Sequence, residues 1–425
     1  MYALIAVSAL LTLAVPVPVP AAAAAEGGPE EEWVERTLSG LTLREKVAQM
    51  VMPWIPGGAP AGAELRRART LVAEQRVGGL IVGVGPAAET ARRLNELQRA
   101  SKVPLLVAAD LEWGAGTRLE GATVLPVNLA LAAAGAAAYA FEAGRITALE
   151  ARSAGVHMAF APVADVNINP LNPVINTRSY GADALAVADR VAAFIHGARA
   201  GGLLSVAKHF PGHGDTEEDS HLEMPFLLAT RERIEAVELV PFRAAVQAGV
   251  TGVMTAHLAV PALEPGGERR PATLSGPILT ELLREELSFQ GLIVTDALIM
   301  DGIRKGRPQG QVAVDAVRAG ADILLYGADL YARGGDGDTV ALQKQAMEAL
   351  YQAVRSGRIP AKRLNESVER ILRAKARIAP GLHIPEDDRY ALIAAGDVSA
   401  VVTAELIAAE GVTIVRHQGF FPLPE

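Results

Sequence analysis

Fourteen consecutive residues hold the densest chemistry in this chain. They read Lys208-His209-Phe210-Pro211-Gly212-His213-Gly214-Asp215-Thr216-Glu217-Glu218-Asp219-Ser220-His221, with three histidines, four carboxylates and a lysine. Imidazoles beside carboxylates suit proton transfer near neutral pH. Asp219 and His221 flank one serine. In a bent loop such a carboxylate can hydrogen-bond the ring, orient it and raise its basicity. Glu217 and Glu218 read as solvated surface. Lys208 and His209 leave one strand end. Side chains alternate along a strand, so both face the same side only where the strand ends or bulges. The other reading pairs one of them with a core carboxylate. Asp296 closes the run Ile293-Val294-Thr295 and precedes Ala297-Leu298-Ile299-Met300. It is either a functional carboxylate at a strand end or the N-cap of the next helix, since aspartate caps well.

Other chemistries fit less well. His209, His213, Asp215, Asp219 and His221 are suitable metal-ligand types. Their spacing, with proline and glycine inside, is not the helical two-histidine zinc pattern, and no metal is expected. Gly83-Val84-Gly85-Pro86-Ala87-Ala88 after a strand imitates a dinucleotide loop, with Asp110 downstream. Pro86 alters the backbone that a pyrophosphate needs, so a strand-to-helix turn explains it better and no cofactor is expected.

The elements that position these groups follow from hydrophobic patterning. Short apolar runs recur at 51–55, 79–84, 105–110, 156–166, 203–209, 252–257, 292–296 and 323–326. Helix-like segments at 87–100, 139–154, 184–199, 230–248 and 275–287 lie between most of them. Alternating buried strands and amphipathic helices imply a parallel sheet covered outside. Eight such strands predict an α/β fold of the (β/α)₈ barrel type. Asp110, Asp165, Lys208, His209, His257 and Asp296 all fall at predicted strand C-termini. A barrel brings those ends to one face, whereas a doubly wound open sheet would offer a single switch point. Thr42-Leu43-Arg44-Glu45 reads as a capping box. Two helices at 340–356 and 361–377, separated by Gly357 and Pro360, are expected to close the barrel. A linker follows at 381–388, then a helix and a strand-like 411–415 that resemble the start of a further domain.

Composition bounds the rest. The chain has 425 residues, half of them hydrophobic, a formal net charge of −8 and no cysteine. Disorder, thiolate chemistry and disulfides are excluded, and no basic footprint for nucleic acid exists. Residues 3–25 are small and apolar and end in alanines, as in an export signal with an Ala-x-Ala cleavage site. Pro16, Pro18 and Pro20 argue against a membrane-spanning helix there. The expected division is a leader at 1–25, a barrel at 30–380 and a linker with an incomplete second unit at 381–425. The expected setting is periplasmic or extracellular, as a monomer without stable membrane insertion.

Lys208-His209-Phe210-Pro211-Gly212-His213-Gly214-Asp215-Thr216, followed by Asp219-Ser220-His221, resembles the signature of the β-N-acetylhexosaminidase branch of glycoside hydrolase family 3. The resemblance runs from Leu41 to about Arg377. It implies a (β/α)₈ barrel and retaining hydrolysis of β-linked N-acetylglucosamine glycosides from peptidoglycan or chitin fragments. By the same resemblance Asp296, in Thr295-Asp296-Ala297-Leu298, is the nucleophile, and His221 held by Asp219 is the acid/base. Asp110 (in Asp110-Leu111-Glu112), Arg118, Arg178 (in Arg178-Ser179-Tyr180-Gly181), Lys208 and His209 would contact the sugar. Trp113-Gly114-Ala115-Gly116 departs from the more usual Gly-Gly-Arg. A family-3 β-glucosidase or xylosidase with a carboxylate acid/base, a non-catalytic sugar-binding barrel and a metal hydrolase are the alternatives.

Overall fold

The computed structural model describes residues 28–58, 62–218, 224–304, 306–327, 339–378 and 396–413. The leader, residues 219–223 with Asp219 and His221, and most of the 381–425 tail lie outside the described residues. Eight apolar stretches form strands: β1 (Val51–Ile55), β2 (Gly79–Val82), β3 (Leu106–Ala109), β4 (Met158–Ala159), β5 (Leu204–Phe210), β6 (Gly252–Thr255), β7 (Leu292–Val294) and β8 (Leu324–Tyr326). All are parallel, and each pairs with the next up to β7. β8 returns to β1 with Val51 opposite Leu324, and a bridge from Val294 to Ile323 joins β7 to β8. The sheet thus closes into the expected (β/α)₈ barrel. Its strands are buried almost throughout because side chains fill the inside and helices cover the outside.

The helices that cover the strands include Ala87–Ala100, Ala137–Ser153, Ala184–Ala200 and Pro277–Glu286, within a few residues of the sequence reading. The segment 230–248 breaks into Arg231–Ala236 and Leu239–Gln247. Pro241 lacks an N–H and is accommodated in the first turn of a helix, so a new helix starts just before it. The helix Gln309–Ala319, between β7 and β8, is not among those the sequence reading predicts. Its buried Val312, Ala313, Ala316 and Val317 carry a helical repeat that the short loop around it obscures. The capping box is formed: Glu45 Oε2 accepts from the Thr42 N–H at 2.8 Å, and the Glu45 N–H donates to Thr42 Oγ1 at 3.3 Å.

Two strands differ from expectation. The run read at 156–166 is regular only over Met158–Ala159, followed by an isolated bridge between Val163 and Lys208. Pro162 cannot donate to a ladder, which interrupts it. β5 runs through Phe210, one residue past the predicted run. In the tail, Val398–Glu410 is a helix, and 411–413 are not strand.

The N-terminal end of the barrel is closed by Asp322, which precedes β8 and is fully buried. Its carboxylate accepts from Ser367 Oγ (2.6 Å), the Ile293 N–H (3.0 Å), Arg363 and Arg370 (3.3 Å each) and Arg284. Ser367, Arg363 and Arg370 belong to helix Ala361–Ile378. That helix buries Leu364, Val368, Ile371 and Leu372 beside it, as expected for a closing helix. Among the described residues no helix is long and apolar enough to cross a membrane.

Candidate active site

At the opposite end of the barrel a cavity of about 550 Å³ opens between the strand C-termini. Its floor starts from β5. The β5–β6 ladder slips between Ala207 and Phe210, and the Lys208–His209 peptide bond is cis. Both Lys208 and His209 line the cavity, as a bulged strand allows.

The Lys208 ammonium, 3% exposed, lies 2.9 Å from Asp110 Oδ1 and 2.7 Å from Glu112 Oε1. Arg178 grips the same Glu112 through Nε (2.9 Å) and Nη2 (2.7 Å), a two-pronged pair. Burial alone would neutralise these groups. For Glu112 burial is outweighed by Lys208 and Arg178, which hold its carboxyl well below the usual range. For Lys208 burial is outweighed by Asp110 and Glu112, which raise its pKa. Arg178 is raised against burial chiefly by Glu112. The result is a fixed array in which Lys208, Arg178 and Glu112 are held charged, with Asp110 as the second partner of Lys208. Their remaining N–H and oxygen valences suit the hydroxyls of a polar ligand. Arg118 reaches the rim, 3.9 Å from Asp110.

Asp165 lies beneath this array with no exposed surface. Oδ2 accepts from His209 Nδ1 at 2.7 Å, and Oδ1 accepts from the His213 N–H at 2.7 Å. The His209 N–H lies 3.2 Å from both oxygens. A carboxylate can only accept, so His209 carries its proton on Nδ1 and turns Nε2 towards Arg178 Nη2, 3.4 Å away. Burial opposes the Asp165 charge, but His209 outweighs it and keeps the pKa low. His213 also lines the cavity. Its Nδ1 meets Thr216 Oγ1 at 2.8 Å. Burial pushes its imidazole down to about 4, so the ring is neutral.

Asp296 lies on the far wall, past β7, and half-buried. Oδ1 accepts from the Ala297 N–H at 2.7 Å. The next helix begins only at Asp301, so Asp296 is not its N-cap. His257 does not line the cavity. Its Nε2 lies 3.0 Å from the Ala297 carbonyl, which can only accept, so that nitrogen carries the proton and steadies the Asp296 turn.

Asp110, Arg118, Arg178, Lys208, His209 and Asp296 therefore come together in one cavity from strand β5 and the connections after β3, β4 and β7. Asp219 and His221 lie outside the described residues. Sequence reasoning does not select Glu112, Asp165 or His213 as site residues. Glu112 stands two positions after Asp110, and Asp165 falls at a predicted strand end. Neither signal says which buried carboxylate a histidine or lysine will choose. The 83–88 turn is a βα connection: Gly85–Pro86 pairs with Leu119–Glu120, and Val84 lines the cavity.

The pattern of the Glycosyl hydrolase family 3 N terminal domain matches residues 42–374. A β-N-acetylglucosaminidase/β-glucosidase of Cellulomonas fimi is 34% identical over 406 residues, covering 92% of this chain and 68% of that protein. A β-hexosaminidase of Alkalilimnicola ehrlichii is 37% identical over 267 residues, covering 60% of this chain and 75% of that protein. The solved structure of a family 3 β-N-acetylglucosaminidase from Paenibacillus sp. str. FPU-7 superposes with a TM-score of 0.79 at 41% identity. It covers 90% of this chain and 71% of that one.

Proposed function

Because the chain belongs to glycosyl hydrolase family 3, we propose that it is a retaining β-N-acetylhexosaminidase that removes terminal β-linked N-acetylglucosamine from peptidoglycan or chitin fragments. The observation that carries this reading is the convergence of Asp296 and the Lys208–Glu112–Arg178–Asp110 array on one cavity. The array holds the sugar hydroxyls and acetamido group. The Asp296 carboxylate attacks the anomeric carbon, and the bond to the leaving oxygen breaks as that oxygen takes a proton. Water then cleaves the glycosyl-enzyme with retention.

The proton donor in this reading is His221, oriented by Asp219, which later takes the proton of the attacking water. The histidines of the described cavity suit that role poorly: His209 is committed to Asp165, and His213 is buried and neutral. A second reading, β-glucosidase activity, is favoured by the double name of the Cellulomonas fimi relative.

Comparing hydrolysis of nitrophenyl N-acetylglucosaminide and nitrophenyl glucoside separates the two. Trapping with a fluorinated N-acetylglucosamine analogue and mapping the label tests the nucleophile: label elsewhere than Asp296 rejects it. We further propose export of a monomer. N-terminal sequencing of secreted protein, and its mass in solution, test those two statements.

A further inference from the structure

We infer that Trp113 forms an apolar shelf at the cavity rim for the sugar ring of the leaving group, selecting glycosides whose leaving group is itself a pyranose. This rests on the glycosidase reading above and names the specificity of the same site.

Depth separates the groups that line the cavity. Lys208 and Glu112 are almost wholly buried and charged, and Arg178 is three-quarters covered. A sugar seated on them satisfies its hydroxyls there. Trp113, the residue after Glu112, lines the same cavity but is only half-buried. Val84 lines it too and is 57% exposed. The charged groups thus sit deep in the cavity beside buried apolar residues such as Phe160 and Met254, and Trp113 and Val84 are among its more exposed lining. A cavity of about 550 Å³ lies in the range that houses drug-sized ligands, so it has room for more than one sugar ring. Whatever extends past the floor meets the rim, and in a glycoside that part is the leaving group. An indole face offers large, rigid contact to the C–H face of a pyranose at little entropic cost.

The shelf is held in place by its own loop. The Trp113 carbonyl accepts from the Leu125 N–H at 3.0 Å, and the Gly116 N–H donates to Thr123 O at 2.9 Å. Gly114 has φ +97°, and a Cβ there would sit 2.5 Å from Thr123 O. A Cβ on Gly116 would sit 2.4 Å from Ala122 O. Only glycines allow this close docking. Thr123 is fixed in turn by the buried Glu150, through its N–H (3.0 Å) and hydroxyl (2.7 Å). The Gly85 N–H donates to Arg118 O at 3.0 Å, tying the Val84 turn to the same loop. The departure Trp113-Gly114-Ala115-Gly116 is thus a coherent unit: the glycines permit the docking that presents the tryptophan.

The test compares two substrates of one enzyme: β-1,4-linked N-acetylglucosamine disaccharide, and N-acetylglucosaminyl fluoride, whose leaving group has no ring. Trp113→Ala should lower kcat/KM for the disaccharide about tenfold more than for the fluoride, the upper range for one aromatic contact. The loss should lie mainly in KM, and Trp113→Phe should restore most of it. Equal losses on both substrates, or no loss on either, overturn the shelf. If the unmodified enzyme turns over neither substrate, the activity reading has failed. The shelf is then judged by calorimetric binding of the thio-linked disaccharide. Unchanged affinity in Trp113→Phe and Trp113→Ala overturns it, and weakened affinity in the alanine variant alone supports it.

Discussion

Asp165→Asn changes one atom and should disturb the whole floor of the site. The native carboxylate serves the His213 N–H through Oδ1, His209 Nδ1 through Oδ2, and the His209 N–H through both. Asparagine keeps one acceptor oxygen. If that oxygen takes the Oδ1 position, the backbone N–H groups stay served and the new amide faces His209 Nδ1, donor against donor at 2.7 Å. The ring escapes only by moving its proton to Nε2, where it then points at Arg178 Nη2. If the oxygen takes the Oδ2 position, the His213 N–H is left unpaired in a site with no exposed surface. Either choice loses a charge-assisted hydrogen bond, about 1.5–3 kcal/mol, and strands a buried donor, about 1–3 kcal/mol. The sum of about 2.5–6 kcal/mol is a large fraction of the roughly 5–15 kcal/mol stability of a typical native protein. With an m-value of a few kcal/mol/M, the urea midpoint should fall by about 1 M. A ring displaced by even 1 Å should lower kcat/KM about a hundredfold. The pH dependence carries the sign. Asp165 is held ionised in the folded state, so its contribution is present above the ordinary carboxylate pKa of about 3.9 and is lost as pH falls. Stability curves of native protein and variant should therefore converge below about pH 4. A variant with unchanged midpoint at pH 7 and kcat/KM within about twofold refutes the assigned role of Asp165 and the tautomer argued for His209.

Asp296→Ala should abolish turnover with an unchanged circular dichroism spectrum; residual activity on an activated substrate near the native rate removes it as nucleophile. Arg178→Lys replaces a two-pronged grip on Glu112 by a single point charge; kcat/KM should fall by about tenfold to a hundredfold, the value of one strong hydrogen bond, and full activity contradicts the array. Lys208→Met removes one of the two cations on Glu112 and leaves Arg178 as the other, so the losses in Lys208→Met and Glu112→Gln should be non-additive in the double variant. Additive losses deny the coupling. Lys375 is fully buried, touches Gln49 Oε1 at 2.6 Å, and is pushed down by burial to about 7. The unfolded chain binds more protons between pH 7 and the ordinary lysine pKa of about 10.4, so stability should rise with pH across that window. Lys375→Met should flatten the rise, and parallel urea midpoints at pH 7 and 9.5 in both proteins reject it.

The barrel was legible because parallel strands covered on both faces read as uninterrupted apolar runs, and eight of them recur. What the runs do not encode is where regular pairing stops. Pro162 cuts the fourth strand short, while β5 carries its ladder past Lys208 to Phe210. Strand-end position told which residues could reach the mouth: Asp110, Lys208, His209 and Asp296 do. The same rule put His257 at the mouth, and it fails there because His257 finds a closer partner behind the wall, the Ala297 carbonyl. Polar residues at strand ends divide into those that face a ligand and those that fix the backbone of their neighbours. The division depends on partners tens of residues away: 44 positions separate Asp165 from His209, and 66 separate Glu112 from Arg178. Sequence shows such residues as types in a row. Only closure of the sheet decides that Asp165 orients an imidazole, whereas Asp110, two residues before Glu112, shares a lysine with it. The site's electrostatics therefore belong to the circular strand order and not to any single motif. The same circular order explains how His209, on the fifth strand, and Asp296, just past the seventh, come to line one cavity although a whole strand and its covering helices separate them along the chain.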